Sequence, residues 1–547
     1  MRTPWWQSAV FYHIYVRSFQ DSNDDGIGDL PGLLSRLEVI AALGVDALWL
    51  SPFYPSPQSD FGYDVADFCN VDAAYGSMDD LAALRDALHD RGMRLILDFV
   101  PNHTSDHHAW FRNALQGRVA PMRDHYIWRD PAPDGGPPNN WISIFGGPAW
   151  TLHESSGQYY LHSFLPQQPD LNWRNPKVVA AMHGVLRFWL DWGADGFRVD
   201  AVHQVIKDAE LRSNPPNADY SIDADDPAYD PFAAMQHVHD AMQPEVYDIV
   251  RGMRRLIDEY DDRVLVGETP VLDWSEYAGF VGDGSDLFHL AFNFHPLRAR
   301  SLGQIRRGME GLYAALDPKA WPTLVLSNHD VDRQVSRLSE DGAADDALAK
   351  AAAATLLLGR GTPFVYYGDE IGMPNGRVES ADLRDPVGIF ERQAERRIFF
   401  SLGFPSLGRD PERTPMPWTA GAYGDFSTAK PWLPTSGFEQ RNVERHRGDQ
   451  HSVWHWYRRL LAIRREHPAL QLGSYTTIDV AEPAWAFERR HGEDTVRVLI
   501  NSGKAPAVLD SMPDLPGEVI IGTDREPGDT LDGDALHLAP WEVVVLG

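Results

Sequence analysis

The sequence predicts an α/β protein: a (β/α)8 TIM barrel with a small inserted domain after the third strand and a C-terminal antiparallel β-sandwich domain. Eight short runs of β-branched and aromatic residues alternate with helix-like patterns as far as about residue 470. Such alternation builds parallel sheets. From about Gly473 onward, strands alternate with turns, which is typical of antiparallel sheet. A doubly wound open sheet is the alternative, but it usually carries a Gly-rich phosphate loop, and no such motif occurs here.

Local composition predicts each element of the barrel. The predicted strands are Val10–Val16, Ala47–Leu50, Leu95–Val100, Gly196–Val199, Val264–Gly267, Leu287–Phe292, Thr323–Leu326 and Pro363–Tyr367. The predicted helices are Leu30–Leu43, Met78–Arg91, Lys177–Trp192, Glu245–Tyr260, Leu302–Leu316, Asp346–Leu358 and Ser452–Arg465. Ser77 and Asp80 resemble a capping box, and Gly44 and Gly92 stand where helices stop.

Two connections between these elements are too long to be plain loops. Residues 104–174, rich in Pro, Gly, Trp and Asp, predict a small inserted domain, and residues 373–450 predict a lid or subdomain. The barrel then comprises residues 1–103 and 175–472, and residues 473–547 form the C-terminal domain. The strands predicted in that domain are Tyr475–Val480, Ala484–Arg489, Thr495–Asn501, Ala507–Leu509, Val519–Ile521 and Trp541–Leu546.

Charge and cysteine content narrow the classes of partner. Lys and Arg total 49 against 79 Asp and Glu, a formal net charge of −30. Such an acidic surface repels phosphate backbones and anionic lipid heads, so we expect no nucleic-acid or membrane partner and a small-molecule ligand instead. Cys69 is the single cysteine, which excludes a disulfide within the chain and a Cys-rich zinc site.

The chain also lacks the usual signals for export or membrane insertion. No apolar run of about 18 residues occurs, and Met1–Gln7 lacks the apolar run of a signal peptide. The expected location is therefore the cytoplasm. Both a monomer and a homo-oligomer are compatible with the sequence.

Acidic residues and histidines collect where the predicted barrel strands end, which is where such barrels place their working residues. The segments are Asp98–His103, Arg198–Asp200 followed by His203, Gly267-Glu268, Asn328–Asp330 and Gly368–Glu370. A single Asp at a strand end is usually a helix cap or an ion-pair partner. Several carboxylates at one mouth, however, raise one another's pKa values, a cost that structure alone does not require. Glycoside hydrolysis needs such a set, with one carboxylate as nucleophile and another as protonated acid.

Eight short segments are distinctive in combination. Four of them are Asp98–His103 (DFVPNH), Gly196–Asp200 (GFRVD), Gly267-Glu268 and Asn328–Asp330 (NHD). The others are Gln20–Leu30 (QDSNDDGIGDL), Asp60–Val65 (DFGYDV), Asp170–Pro176 (DLNWRNP) and Arg413–Trp418 (RTPMPW). Together they resemble the α-amylase superfamily of retaining glycoside hydrolases (family thirteen), in its α-glucosidase and oligo-1,6-glucosidase branch. The resemblance runs in order along essentially the whole chain.

The resemblance implies a role for each matching catalytic residue. Asp200 would be the nucleophile that forms a covalent β-glucosyl intermediate, Glu268 the general acid/base, and Asp330 the stabiliser of the oxocarbenium-like transition state. For retention, the carboxyls of Asp200 and Glu268 are expected to lie roughly 5–5.5 Å apart. Arg198 lies two residues before Asp200 and points to the same face of the strand. Its cation is expected to keep Asp200 ionised at neutral pH.

The resemblance also implies how a glucose unit is held. The residues expected to contact its ring and hydroxyls are Tyr63, Asp64, His103 and His329. Arg409 would pair with Asp64 and close the pocket at the non-reducing end, and Arg413 is the rival for that role. A closed pocket favours release of one glucose at a time over cleavage within a long chain.

The loop Asp21–Asp29 carries oxygen-bearing residues at alternate positions, with Gly26 at the sixth. This pattern matches the first part of an EF-hand calcium loop, although Gly32 stands where the bidentate Glu would be. The resembled branch often holds Ca2+ or Mg2+ at this loop. The ligands that the resemblance implies for this structural cation are Asp21, Asn23, Asp25, the Ile27 carbonyl and Asp29. No organic cofactor is expected.

The residue after the expected nucleophile, Ala201, bears on the linkage that is cleaved. In the resembled branch, Val there tends to accompany α-1,6 preference, whereas smaller residues or Thr accompany α-1,4 preference. We therefore expect an exo-acting α-glucosidase that cleaves maltose and short malto-oligosaccharides, with sucrose as a further candidate and transglucosylation as a side reaction. His203 stands where many relatives have Asn, and the insert 208–233 is expected to shape the aglycone side.

Other functions remain open at this point. An oligo-1,6-glucosidase, or a glucosyl isomerase or transferase of the sucrose isomerase or trehalose synthase type, would use the same residues. The isomerase would differ only in the access of water. A phosphorylated-disaccharide hydrolase is disfavoured because no basic cluster marks the mouth. A non-catalytic relative would be expected to carry a transmembrane segment and altered carboxylates, and the sequence shows neither.

Overall fold

Eight parallel strands form the central sheet of the part of the chain that our computed structural model describes, residues 3–222, 230–394, 408–510, 517–530 and 535–547. They are β1 (Phe11–Ile14), β2 (Ala47–Leu50), β3 (Arg94–Phe99), β4 (Gly196–Val199), β5 (Val264–Gly267), β6 (Leu290–Ala291), β7 (Thr323–Val325) and β8 (Thr362–Tyr366). Hydrogen bonds connect them in the order β7-β8-β1-β2-β3-β4-β5-β6. The sheet is therefore a nearly closed barrel, which confirms the predicted fold class.

Alternate side chains of each strand enter two different apolar clusters. Trp49 of β2 and Ile96 of β3 join Phe364 of β8 inside the barrel. Leu48 and Leu97 point the other way and pack with the surrounding helices. This division follows from the period of two in a strand and explains why the strands are apolar on both faces.

Helices surround the barrel close to the predicted positions. Their bounds are Trp5–Ser8, Leu30–Ser35, Leu37–Leu43, Met78–His89, Ala109–Ala114, Pro176–Trp192, Val246–Ile257, Trp274–Val281, Phe294–Arg298, Leu302–Ala315, Gln334–Leu338, Asp346–Leu358, Pro386–Ala394, Val443–Gly448, Val453–Glu466 and Pro468–Leu472. The predicted helix Leu30–Leu43 is two helices, because Arg36 turns out of the helical path. Both hydrogen bonds of the predicted capping box at Ser77 and Asp80 are formed.

Residues 104–174 contain a small antiparallel sheet made of Trp128–Arg129, Gln158–Leu161 and Trp150–His153. Trp141, Trp150 and Leu161 form an apolar cluster of their own within this region. The segment lies between β3 and β4 in the chain, as expected of an inserted domain. Trp128 and Tyr160 of the same sheet belong to the main core, so the insert is stabilised both by its own cluster and by an extension of the barrel core.

Two antiparallel sheets form the C-terminal domain. Their strands are β9 (Ser474–Ile478), β10 (Ala484–His491), β11 (Asp494–Asn501), β12 (Ala507–Asp510), β13 (Val519–Gly522), β14 (Ala535–Leu538) and β15 (Val543–Leu546). In the described residues, one sheet has the order β9-β10-β11-β15-β13, and β12 pairs with β14 in the other. Ala486, Leu509 and Leu538 share one core between the sheets, as a sandwich requires. Strand β14 was not predicted.

The predicted lid and the insert after β4 are described in part. Residues 395–407 of the predicted lid 373–450, and residues 223–229 of the insert 208–233, lie outside the described residues. The described part of the lid includes a short 3-10 turn, Pro411–Arg413, after the helix Pro386–Ala394. Within the described ranges, none of the helices is long and apolar enough to cross a membrane.

Candidate active site

A cavity of about 210 Å³ opens at the carboxyl ends of the barrel strands. Side chains from the segments that follow strands β2 to β8, including the inserted domain after β3, face it. Its lining residues are Asp60, Tyr63, His103, Ile144, Phe145, Phe164, Asp200, Ala201, His203, Gln204, Phe232, Glu268, Pro270, Phe294, Arg298, Asp330 and Arg409. The three acidic residues predicted to do chemistry therefore share one cavity, as the strand-end rule predicts.

The buried guanidinium of Arg198 connects three carboxylates beneath this cavity. Its Nη1 donates to Asp98 Oδ1 at 2.9 Å and to Asp200 Oδ1 at 2.7 Å. Its Nη2 lies 2.5 Å from Glu268 Oε1. The expected nucleophile and the expected acid/base therefore contact the same cation, which holds them on one side of the cavity.

Burial and the charge of Arg198 act on the pKa of Asp200 in opposite directions. Burial away from water raises the pKa of Asp200 well above its ordinary value, and the negative charges of Glu268 and Asp98 add to the rise. Arg198 opposes the rise but does not cancel it, because its one charge is shared among three carboxylates. Burial also raises the pKa of Asp98 to about 6. Arg198 contacts Asp200 and lowers its pKa, in the predicted direction, while burial acts more strongly the other way; that Asp200 is ionised at neutral pH stays a prediction.

The second oxygen of Glu268 is held by the main chain. Glu268 Oε2 accepts a hydrogen bond of 2.9 Å from the backbone N–H of Ala201. Ala201 has φ 40° and ψ 38°, in the left-handed region that non-glycine residues rarely adopt. The strained residue turns the chain from β4 into the 3-10 turn Val202–Gln204 and aims its N–H at Glu268. Strain of this kind persists where the surrounding structure enforces it, and it clusters at active sites.

Asp330 stands on the other side of the cavity beside two arginines. Its Oδ1 accepts from Arg413 Nη2 at 2.8 Å and from Arg409 Nη1 at 3.2 Å. Burial would raise the pKa of Asp330, but the guanidinium groups of Arg409 and Arg413 outweigh burial and lower it. Asp330 is therefore held ionised, unlike the cluster around Arg198.

The expected pair between Arg409 and Asp64 does not form. Arg409 Nη2 instead donates to Asp60 Oδ1 at 2.7 Å, and the cavity is lined by Asp60 rather than Asp64. The Asp64 carboxylate is fully occupied by its own turn, where it accepts from the hydroxyl of Ser56 and from the backbone N–H groups of Ser59 and Asp60. Asp64 therefore shapes the turn, and Asp60 takes the place in the pocket that was predicted for Asp64.

Tyr63 and His103 line the cavity, whereas His329 is fully buried against Tyr63 and is not part of the lining. The rings of Tyr63 and His329 stack with centroids 5.2 Å apart, and Tyr63 also donates to Asp98 Oδ2 at 3.1 Å. His103 Nε2 lies 3.0 Å from Gln168 Nε2. Burial lowers the pKa of His103 to about 4 and that of His329 well below its usual range. Both imidazoles are neutral at pH 7 and offer a hydrogen-bonding nitrogen rather than a charge.

Sequence reasoning assigned no role to three residues of the site, Asp60, Asp98 and Asp385. Asp60 and Asp98 lie inside segments that were singled out, DFGYDV and DFVPNH, so their type and position were visible. Which of the two aspartates in DFGYDV faces the cavity depends on the turn. Asp385 accepts from Arg409 at 2.7 Å across a connection whose path carries no periodic signal.

The loop Asp21–Asp29 has the oxygen chemistry of a cation site, but its side-chain oxygens accept hydrogen bonds from the loop's own backbone N–H groups. Asp21 Oδ1 accepts from the backbone N–H groups of Asn23 and Asp24, and its Oδ2 accepts from the N–H of Gly26. Asp29 caps the helix Leu30–Ser35 through the N–H of Gly32. Among the described residues, no group of three or more His, Cys, Asp or Glu side chains converges as metal ligands do.

The chain is similar over nearly its full length to known carbohydrate-acting proteins. Residues 13–473 match the family described as the alpha-amylase catalytic domain. A probable alpha-glucosidase of Rhizobium meliloti (strain 1021) is 41% identical over 91% of this chain and 89% of that protein. An oligo-1,6-glucosidase of Parageobacillus thermoglucosidasius is 34% identical over 100% of this chain and 99% of that protein. The crystal structure of the alpha-glucosyl transfer enzyme XgtA superposes with a TM-score of 0.91 at 40% identity and covers 100% of this chain and 99% of that one.

Proposed function

Because the chain belongs to the alpha-amylase family, we propose that it is a retaining, exo-acting α-glucosidase. Its substrates are the terminal α-glucosidic bonds of maltose and short malto-oligosaccharides, with α-1,4 bonds preferred and sucrose as a further substrate. The observation that carries the proposal is the shared contact of Asp200 and Glu268 with Arg198, at 2.7 and 2.5 Å, at one end of a cavity that Asp60 and Arg409 close at the other.

The proposed reaction has two steps. In the first, a carboxylate oxygen of Asp200 attacks the anomeric carbon while Glu268 gives its proton to the glycosidic oxygen, so the aglycone leaves and a β-glucosyl ester remains. In the second, Glu268 takes a proton from water, whose oxygen attacks the anomeric carbon and releases Asp200. Two inversions retain the α configuration.

The proton that the first step needs is consistent with the charge of the Arg198 cluster. If Asp98, Asp200 and Glu268 were all ionised, one guanidinium would face three negative charges in a buried site. Burial and mutual repulsion therefore favour one bound proton in the cluster at neutral pH. We assign that proton to Glu268 in the reactive complex, because Asp200 must be ionised to attack.

The far end of the cavity supports exo-action. Arg409 is clamped between Asp60 and Asp385, each at 2.7 Å, and its guanidinium faces Phe145 of the inserted domain at 4.8 Å. An ion pair at this position blocks extension of the substrate beyond the terminal glucose. Asp330 and the neutral nitrogens of His103 and His329 then hold the hydroxyls of that glucose.

Transfer of glucose to another sugar is the second candidate function. Transfer uses the same intermediate and differs only in whether water or a sugar hydroxyl attacks it. The apolar residues Ile144, Phe164, Phe232 and Phe294 line the cavity, and such a wall disfavours water. The structure most relevant to this alternative is that of XgtA, whose name describes glucosyl transfer.

Product analysis separates these functions. We expect glucose with retained α configuration as the first product from maltose, faster than from isomaltose or trehalose, in anomer-resolved NMR of wild-type reactions. The physical reason is the small Ala201 in the cavity wall, on which the α-1,4 preference rests. Isomaltose cleaved far faster than maltose would favour an oligo-1,6-glucosidase. Disaccharide products exceeding glucose would favour transfer or isomerisation.

We further propose that the loop Asp21–Asp29 holds a structural Ca2+ or Mg2+. The support is its alternating set of oxygen ligands, Asp21, Asn23, Asp25, the Ile27 carbonyl and Asp29, and the tight turn at Gly26 (φ 88°). Removal of divalent ions with EDTA is expected to lower the melting temperature, and either cation to restore it. An Asp25→Ala variant is expected to melt at one temperature with and without cation. Equal melting of the wild type in both conditions would contradict the proposal.

A further inference from the structure

Arg413 donates hydrogen bonds to two consecutive residues of the site, His329 and Asp330, from outside the cavity. Its Nη2 donates to Asp330 Oδ1 at 2.8 Å, and its Nε donates to the backbone carbonyl of His329 at 2.7 Å. Arg413 is 0% exposed and is not among the residues that line the cavity. It therefore contacts the site through Asp330 and His329, not through the space where substrate binds.

Arg409, the other arginine that contacts Asp330, also pairs with two further carboxylates. Arg409 divides its guanidinium among three carboxylates, with 2.7 Å contacts to Asp60 and Asp385 and a longer 3.2 Å contact to Asp330. Asp330 is the one carboxylate that Arg413 reaches within ion-pair distance in the described part of the chain. The shorter bond and the second anchor at the His329 carbonyl make Arg413 the group that orients Asp330.

Resting on the proposed function, we propose that Arg413 is a positioning residue that holds Asp330 ionised and aimed at the reacting sugar. Asp330 needs such a partner, because its side chain is 28% exposed to the cavity and faces the carboxylate of Asp200. Without a fixed cation, it would rotate in the cavity or take up a proton. Arg413 itself is anchored where Tyr15 faces its guanidinium at 5.4 Å and the Ser18 hydroxyl donates to its carbonyl.

Charged and titratable groups from several elements face this pair. They are His13, Tyr15, Asp60, Tyr63, Arg198, Asp200, His329, Tyr366, Asp385, Arg409, Asp410 and Glu412. Loss of the Arg413 charge leaves Asp330 with the shared Arg409 and the more distant Arg198. The balance then shifts towards the protonated acid, so more of Asp330 is neutral at low pH.

The test compares Arg413→Met and Arg413→Lys with the wild type on maltose. We expect Arg413→Met to lose about 100-fold in kcat with little change in KM, because a misplaced Asp330 affects the transition state more than binding. The acid limb of the kcat–pH profile is expected to move to higher pH. Arg413→Lys is expected to recover part of the rate and move the limb back. Added guanidinium ion, well below denaturing concentrations, is expected to restore part of the activity of Arg413→Ala.

Arg464→Met is the matched control, because Arg464 is equally buried but donates to carbonyl groups of Leu357, Leu470 and Gly361. It is expected to lower the melting temperature without moving the acid limb. An Arg413→Met enzyme with the wild-type kcat and pH profile, or one that only melts earlier, overturns the inference. An inactive wild type contradicts the proposed function itself, and the inference with it. An active wild type with unresponsive Arg413 variants contradicts the inference alone.

Discussion

At the residue scale, the site is built around one guanidinium group, that of Arg198, which contacts three carboxylates. Arg198 meets Asp98, Asp200 and Glu268 within 2.5 to 2.9 Å, so the negative charges at the floor of the cavity exceed the positive one. A proton in the cluster reduces that repulsion, and its apparent pKa values belong to the group rather than to one residue. Across the cavity, two guanidinium groups keep Asp330 ionised. With one proton in the cluster, the four carboxyl groups comprise one acid and three anions at the same pH.

Replacement of Asp200 tests the central assignment. Asp200→Asn is expected to reduce kcat on p-nitrophenyl α-glucoside by about 10⁴-fold or more, because the amide cannot form the glycosyl ester. Its near-equal size should leave the circular dichroism spectrum and the melting temperature close to those of the wild type. Turnover near the wild-type rate would refute the assignment.

Glu268→Gln serves as the matched comparison. It should lose maltose hydrolysis but keep a larger share of the first step on p-nitrophenyl α-glucoside, whose leaving group needs little protonation. Burst kinetics measure that step. If both variants lost the same share of activity on both substrates, the separate roles of nucleophile and acid would not be supported.

At the scale of elements, the turn from Asp60 to Asp64 decides which carboxylate reaches the pocket. Asp64 accepts hydrogen bonds from two backbone N–H groups and from the Ser56 hydroxyl, so its carboxylate oxygens are hydrogen-bonded within the turn. Asp60, at the start of the turn, is left to face Arg409 and accepts from Gln168 Nε2 at 3.0 Å. One short turn therefore supplies both a structural aspartate and one that lines the cavity.

The two aspartates offer a matched pair of variants. Asp60→Asn is expected to raise KM for maltose roughly tenfold, since a hydrogen bond to a charged group contributes about 1.5–3 kcal/mol. Asp64→Asn is expected to lower the melting temperature and leave KM near the wild-type value. Initial rates and thermal unfolding measure the two effects. The reverse pattern would restore Asp64 as the pocket residue.

At the scale of the whole molecule, buried arginines attach the C-terminal domain to the barrel. Arg489 of β10 donates to the carbonyls of Leu358 and Gly359, at the end of the helix Asp346–Leu358, and to those of Gly473 and Ser474. A cation is favourable at the C-terminal end of a helix, where carbonyl groups lack partners. The C-terminal domain is far from the cavity in sequence and contributes no residue to its lining in the described ranges.

Arg489→Met separates stability from chemistry. The variant leaves buried carbonyl groups without donors, so we expect the free energy of unfolding to fall by roughly 3 kcal/mol. The kcat of the folded fraction should stay at the wild-type value. Denaturant unfolding and steady-state kinetics measure the two quantities. A large loss of kcat in the folded enzyme would show that domain docking reaches the active site.

The strands of the barrel were predictable because their signal is local. Ala47–Leu50, Gly196–Val199 and Val264–Gly267 coincide with observed strands, and every residue in them is buried, with Arg198 as their one charged residue. Strand β6 keeps only two residues of the predicted Leu287–Phe292, and Phe288 donates to Phe280 of the preceding helix rather than to β5. Strand β14 was missed because its pairing with β12 joins segments far apart in sequence.

The sequence alone determined the barrel and predicted that Asp200, Glu268 and Asp330 meet at its mouth, because strand ends in a parallel barrel converge whatever the loops do. The tertiary structure decided that Asp60 rather than Asp64 pairs with Arg409, and that Arg413 holds Asp330. Those pairings depend on the direction of individual side chains in turns, which has no period in the sequence. They are settled only when distant segments pack around the same buried charge.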